Sequence, residues 1–172
     1  MLKLVFYEDI ISKLPKNSIF LAGPTSRDNV FEKSWRNEAV KFLENFHFNG
    51  TVFIPEFSKS KQFTNNDWSQ STAWEKEFMD SATCILFWVP RKIPNMLGLT
   101  TNLEFGYYIA KRPENVILGY PKDADEVEWM TIKYKECHPK SFHNPTNTLE
   151  ETVLNAIKVA NKGGIYYLWE SI

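Results

Sequence analysis

The sequence is short of the features that mark secreted, membrane and nucleic-acid-binding chains. It has two cysteines in 172 residues, too few for a disulfide framework. Cys84 lies in an apolar run and Cys137 is far along the chain, so both read as reduced thiols. No apolar stretch approaches the roughly 18–20 residues needed to cross a bilayer. The N-terminal MLKLVFYEDI has too short an apolar stretch for a signal peptide and carries two acids, which points to the cytoplasm. The net charge is −1, so neither a nucleic-acid nor a membrane surface is expected. There is no Walker loop and no G-x-G-x-x-G, which argues against a nucleoside triphosphatase or dinucleotide enzyme, and no serine in G-x-S-x-G. Cys137, His138 and His143 share a polar segment but lack a fourth ligand, so no metal site is expected.

What the chain does have is core. Hydrophobic residues make up 43% of it, which suits one domain spanning 1–172 and rules out a disordered chain. Four short apolar runs read as buried strands: SIFLAG (18–23), TVFIP (51–55), TCILFWVP (83–90) and NVILGYP (115–121). Helical spacing lies between and after them, over 29–46, 71–82, 101–111 and 147–164. Ser71 caps the second helix and Thr148 the last, where Glu150 and Glu151 favour the first turn and two glycines make the stop. Strands apolar on both faces, alternating with helices, predict a parallel sheet covered by helices on both faces. The N-terminal LKLVFYEDI reads as a strand leading into a short helix. Segments 56–70 and 122–147 read as long loops, and the tail GIYYLWESI as a last strand or a docking arm.

In an open parallel sheet, ligands bind beyond the carboxyl ends of the strands. Two loops meet that description here. One follows the first long strand, where Gly23 gives backbone freedom and Pro24 stiffens the turn. The other follows TCILFWVP and leads into a helix carrying Glu104, an acid among apolar neighbours in GLTTNLEFG (98–106). In the first helical turn the dipole would favour its ionised form, suited to attack or to stabilise a cationic carbon. A glutamate there also suits a capping role toward Thr100 or Thr101, and pattern alone leaves both readings open.

IFLAGPTS, DWSQSTAWEKEFMDSATCILFWVP and GLTTNLEFGYYIAK, in that order, together resemble the nucleoside 2-deoxyribosyltransferase-like family over roughly residues 17–121. The resemblance implies a three-layer, flavodoxin-like (Rossmann-like) fold and chemistry at an N-glycosidic bond, with no cofactor. It implies that Glu104 is the nucleophile, that Asp80 contacts the bound nucleoside, and that Gly23, Pro24 and Thr25 line the sugar pocket. Asp67 matches a further substrate contact. Asp80 also reads as a helix C-terminal residue with a local hydrogen bond, and Asp67 as one that bonds its own loop. The well-known bacterial transferases carry an acid a few residues before the nucleophile; NMLGLTTN has none, and Thr100 or Thr101 would supply a hydroxyl instead. The implied partners are a deoxynucleoside and a free nucleobase, and the implied assembly is a homodimer or higher homo-oligomer. Phe20, Trp68, Trp74 and Trp88 are candidates for an apolar wall that rejects a 2'-hydroxyl, and equally for plain core.

Three alternatives stand beside this one. Water as the acceptor would make the protein an N-glycosidase. GLTTNLE also loosely resembles the Gly-Thr-x-x-Glu signature of phosphoribohydrolases of the lysine-decarboxylase-like family, for which Arg27 and Arg91 are the cations available to a phosphate. A nucleotide-sensing module on the same fold would keep the loops and need no acid.

Overall fold

The computed structural model describes residues 1–25, 34–59, 65–138 and 144–162, with 65–68 by backbone alone. Five strands, β1 (Lys3–Val5), β2 (Ser18–Ala22), β3 (Thr51–Phe53), β4 (Cys84–Trp88) and β5 (Val116–Gly119), form one sheet in the order β1-β3-β2-β4-β5. Every pairing is parallel. The helices are α1 (Trp35–Asn45), α2 (Asn65–Ser81), α3 (Leu99–Lys111), α4 (Glu128–Cys137) and α5 (Leu149–Lys162).

Strand periodicity divides the core in two. Phe20, Ala22, Phe53, Ile85 and Phe87 face α2, α3 and α4, meeting Phe78, Phe105 and Met130. Ile19, Leu21, Val52, Leu86 and Trp88 face α1 and α5, meeting Leu43, Val153 and Val159. The result is the three-layer, flavodoxin-like arrangement expected, since strands buried on both sides can carry apolar residues at every position. From β2 the chain turns through α1 toward β3; from the adjacent β4 it turns through α3, on the opposite face, toward β5. The connections after β2 and β4 therefore leave on opposite faces of the sheet, which makes this the topological switch point, where open parallel sheets bind their ligands.

The four expected strands are all found. Thr148 caps α5 as expected: its Oγ1 accepts from the Glu151 backbone N–H at 3.2 Å and donates to the Glu151 carboxylate at 3.1 Å. Four boundaries differ. Helix α1 starts at Trp35 behind Ser34, whose hydroxyl accepts from Arg36 N; residues 29–33 of the expected helix lie outside the described residues, as does the tail. Helix α2 begins at Asn65, so Ser71 is a buried residue inside it and not a cap. The polar run misread as loop includes its solvent face, where Ser69 and Gln70 are exposed. The expected loop at 122–147 contains α4, whose buried stripe within the described core is narrow, Met130 and Tyr134, with Trp129 and Ile132 outside. No helix follows β1: Phe6 N donates to the Asp9 carboxylate at 2.8 Å and Asp9 N to Phe6 O at 3.1 Å, closing a side-chain turn that competes with helix.

Candidate active site

The turn after β2 is shaped by what a side chain would strike. Gly23 has φ 148°, and a Cβ there would lie 2.1 Å from the Trp88 carbonyl oxygen and 2.9 Å from the Trp35 ring. Only glycine allows β2 and β4 to run this close at their ends. Gly98, with φ 60°, starts α3; a Cβ on it would stand 3.1 Å from Pro24 Cβ. The two loops thus touch, through Pro24 and Gly98, beyond the carboxyl ends of β2 and β4.

Glu104 is the sixth residue of α3, not in its first turn, because the helix opens at Leu99. Two consequences correct the sequence reading. It caps neither Thr100, which is exposed, nor Thr101, which is buried. And the helix dipole, which fades beyond the first turn, does not decide its ionisation. Burial does: it pushes the Glu104 carboxyl up to about 8, the charge of Glu75 adds to the rise, and Arg36 opposes it. The Glu104 carboxyl makes no hydrogen bond among the described residues, so its oxygens are uncommitted.

Glu75, on α2, is the acid that shares this crevice. Burial raises its pKa, while the Tyr7 hydroxyl hydrogen-bonded to it and the Arg36 charge work the other way. Tyr7 follows β1, and its phenol is pushed well above the usual range by burial and then by the Glu75 charge; Glu104 contributes in the same direction. Tyr7 packs edge-on to Trp74 at 5.0 Å, and Trp74 meets Phe20 at 5.9 Å and Phe53 at 6.2 Å. The Trp74 indole N–H is buried with no partner among the described residues. Two carboxyls (Glu75, Glu104), one phenol and the Arg36 guanidinium thus interact beside a buried aromatic cluster, with Glu56 paired to Arg36.

Asp80 is elsewhere. It lies in the last turn of α2, bonded to Lys76 and Lys111 at 2.7 Å each, with the Tyr108 hydroxyl at 3.2 Å. Hydrogen bonds from Lys111 and then Lys76 hold its carboxyl down at about 2. Lys111 lies seven residues beyond Glu104 on α3, about 10 Å of helix rise, so the structure does not bring Asp80 to Glu104. The local bonding open to a helix C-terminal acid is what it makes. Asp67 lies in the first turn of α2 with its side chain, like that of Trp68, outside the described residues. Of the other aromatics, Phe20 contacts Trp74 on the crevice side, whereas Trp88 belongs to the core under α1 and α5. Arg91 is tied to the Glu126 carbonyl at 2.6 Å and to the Asn102 side chain; Arg27 lies outside the described residues.

Glu75 and Tyr7 are the residues the sequence reading missed. A signal for Glu75 was present: Asp80 has a lysine four residues before it, at ion-pair spacing, and Glu75 has no basic residue three or four positions away on either side. Tyr7 had no such signal, since it reaches the site only through the pairing of β1 with β3.

The model of one family, described as "Nucleoside 2-deoxyribosyltransferase like", matches residues 16–124 of the chain, the segment that carries β2 to β5 and the residues of the crevice from Gly23 to Glu104. No curated protein matches the chain. Among the described residues, no helix is long and apolar enough to cross a membrane.

Proposed function

Because the chain belongs to the nucleoside 2-deoxyribosyltransferase-like family, we propose that it cleaves the N-glycosidic bond of a 2'-deoxynucleoside with Glu104 as nucleophile and passes the sugar to a second nucleobase. The observation that carries this reading is the uncommitted, part-buried carboxyl at the switch point. An acid kept without partners in a folded interior costs stability, and catalysis is the usual return. In its ionised form one Glu104 oxygen attacks C1' as the bond to the base lengthens through an oxocarbenium-like state. The bonding pair leaves with the base, which takes a proton from water, and a deoxyribosyl ester of Glu104 remains. The incoming base then attacks C1' and expels the carboxylate.

Glu75, oriented by the Tyr7 hydroxyl, takes the nucleoside-contacting role that the resemblance implies for Asp80, and the Gly23–Thr25 turn lines the opposite side. Thr100 remains the proposed hydroxyl near the leaving base, and Asp67 a proposed outer contact. The part-exposed rings of Tyr7 and Trp74, backed by the buried Phe20 and Phe53, are proposed to face the sugar with little for a 2'-hydroxyl to bond. Leaving that group unpaired costs about 1–3 kcal/mol, roughly 10- to 100-fold in rate, and its electron withdrawal further slows a cationic transition state.

The test is to incubate the protein with deoxyadenosine and free cytosine, with and without the second base, and separately with deoxynucleoside monophosphates. Base exchange supports the transferase; release of sugar regardless of acceptor makes it a hydrolase; cleavage of monophosphates alone selects the phosphoribohydrolase reading. A slow 2-fluoro-2-deoxy analogue should leave a sugar adduct on the peptide holding Glu104. An adduct on another acid would defeat the assignment.

We also propose a homodimer. The exposed large apolar residues concentrate on α3, α4 and the loop before α3, with Leu99, Leu103 (76% exposed), Tyr107, Trp129 and Ile132 among them. Aromatic side chains bury 150–250 Å² each, so this face offers on the order of 600 Å². That is at the upper end of what monomers leave bare and approaches the roughly 800 Å² per partner of a stable interface. Sedimentation showing a 20 kDa particle at micromolar concentration would refute it.

A further inference from the structure

Arg36 is among the largest fully buried side chains, 1% exposed, and its carboxylate partner Glu56 is 0% exposed. Removing both charges from water costs more than their attraction returns unless further hydrogen bonds help, so what those bonds hold matters. Arg36 Nε donates to Leu21 O at 2.9 Å, Nη2 to Gly23 O at 2.7 Å, and Nη1 to Thr25 Oγ1 at 3.2 Å and to Glu56 Oε1 at 2.7 Å. Trp35, under the guanidinium at 4.6 Å, donates its indole N–H to Pro24 O at 3.0 Å. The first two residues of α1 therefore grip residues 21, 23, 24 and 25, and with them the turn that meets Gly98 across the crevice. Ser34 ties the other side, donating to the same Glu56 oxygen at 2.7 Å, while Glu56 Oε2 is buried without a partner among the described residues.

We propose that Arg36 and Glu56 are the positioning residues of this site: Arg36 moulds the turn after β2 into one wall of the crevice and supplies the positive charge its carboxyls face, and Glu56 limits how much of that charge reaches them. An apolar pair would fill the same space but do neither. The groups in electrostatic reach of Tyr7, after β1, are Glu75 on α2, Arg36 and Glu104 on α3, and those in reach of Glu104 are Glu75 and Arg36; Glu56, after β3, meets them through its ion pair with Arg36. Arg91, after β4, is spent on Asn102 and Glu126. Two roles in one guanidinium predict that they separate on substitution. The inference rests on Glu104 as the working acid, but its test does not require turnover.

The experiment follows Glu104 ionisation by carbon NMR of labelled glutamate carboxyls in the substrate-free protein, with the signal assigned by its loss in Glu104→Gln. Glu56→Gln leaves Arg36 uncompensated, so Glu104 should titrate about one pH unit lower. Arg36→Gln should move it about as far the other way. Arg36→Lys keeps the charge and loses the fork; titration should hold within about half a unit while Gly23 and Thr25 amides exchange at least 10-fold faster. If nucleosides are turned over, the lysine variant should raise KM about 10-fold with kcat changed much less. Should Arg36→Gln not fold, the other two variants still decide. A Glu104 titration unmoved by Glu56→Gln, or turn amides as protected in Arg36→Lys as in the parent, would overturn the proposal.

Discussion

Helices α2 and α3 carry one acidic group in the last turn of α2 and another midway along the two helices, and the two places treat their acids in opposite ways. Asp80 is held by two lysines and a phenol, and those hydrogen bonds drive its pKa down. Glu104 and Glu75 sit among aromatic rings, and burial drives theirs up. A carboxylate whose lone pairs are met is finished chemically; one whose lone pairs are not met is held ready at a cost. Proximity in sequence to a recognisable motif does not separate the two cases, but partners do.

The sharpest break in that contrast comes from removing the carboxylates one at a time. Glu104→Gln should lower kcat/KM for deoxynucleoside cleavage by about 10³-fold or more, while Asp80→Asn should change it less than about 3-fold. Steady-state kinetics on both variants decides this; a large loss in the Asp80 variant with its fold intact would return that residue to the site.

Glu75→Gln comes next. With its orienting phenol it should cost about 10- to 100-fold in kcat/KM, or roughly 1.4–2.8 kcal/mol. The variant also removes a like charge, so the pH limb should shift downward. In the parent, activity should climb as Glu104 ionises, with a midpoint near 8 when substrate binding leaves that carboxyl undisturbed. A rate flat between pH 6 and 9 in both proteins would show that the two acids do not feel each other.

Stability gives smaller effects of opposite sign. Glu104's folded pKa lies above its unfolded value, so its neutral form favours folding at low pH, and that contribution is lost as pH rises through about 8. Glu104→Gln should therefore be more stable than the parent at pH 9 by about 1 kcal/mol, or 2–4 °C in Tm. Asp80's folded pKa lies below its unfolded value, so its pairing stabilises above about pH 4 and fades toward pH 2. It is 28% exposed, and Asp80→Asn should cost only about 1 kcal/mol at neutral pH and almost nothing at pH 2. Melts at three pH values read both.

Much of the frame was legible in advance. Strands β2 to β5 announce themselves because both of their faces are buried, and Glu104 stood out as an acid among apolar neighbours on the helix after β4, although its depth in that helix was misjudged. What was not legible has identifiable causes. Helix α4 was hidden by its thin buried stripe, and the start of α2 by its polar outer face. Glu75 was passed over for Asp80 because resemblance located an acid on that helix while only packing tells which side of it faces the crevice; five residues apart, the two point about 140° from each other. Tyr7 needed the β1–β3 register, which no local pattern supplies. The Arg36 grip was invisible for another reason: an arginine near a helix start reads as solvent-facing until its oxygens are found.

The contact between Gly23 and the Trp88 carbonyl has a consequence for anyone who would retrain this pocket. In a library that randomises the turn, position 23 should come back as a blank column: a single methyl would fall 2.1 Å from a backbone oxygen, and neither strand can step aside without opening the sheet. Thr25, two residues on, is exposed and meets its neighbours through a hydroxyl alone. New sugar preferences, wherever they arise in this turn, should accumulate there, two residues beyond the point where the architecture stops permitting change.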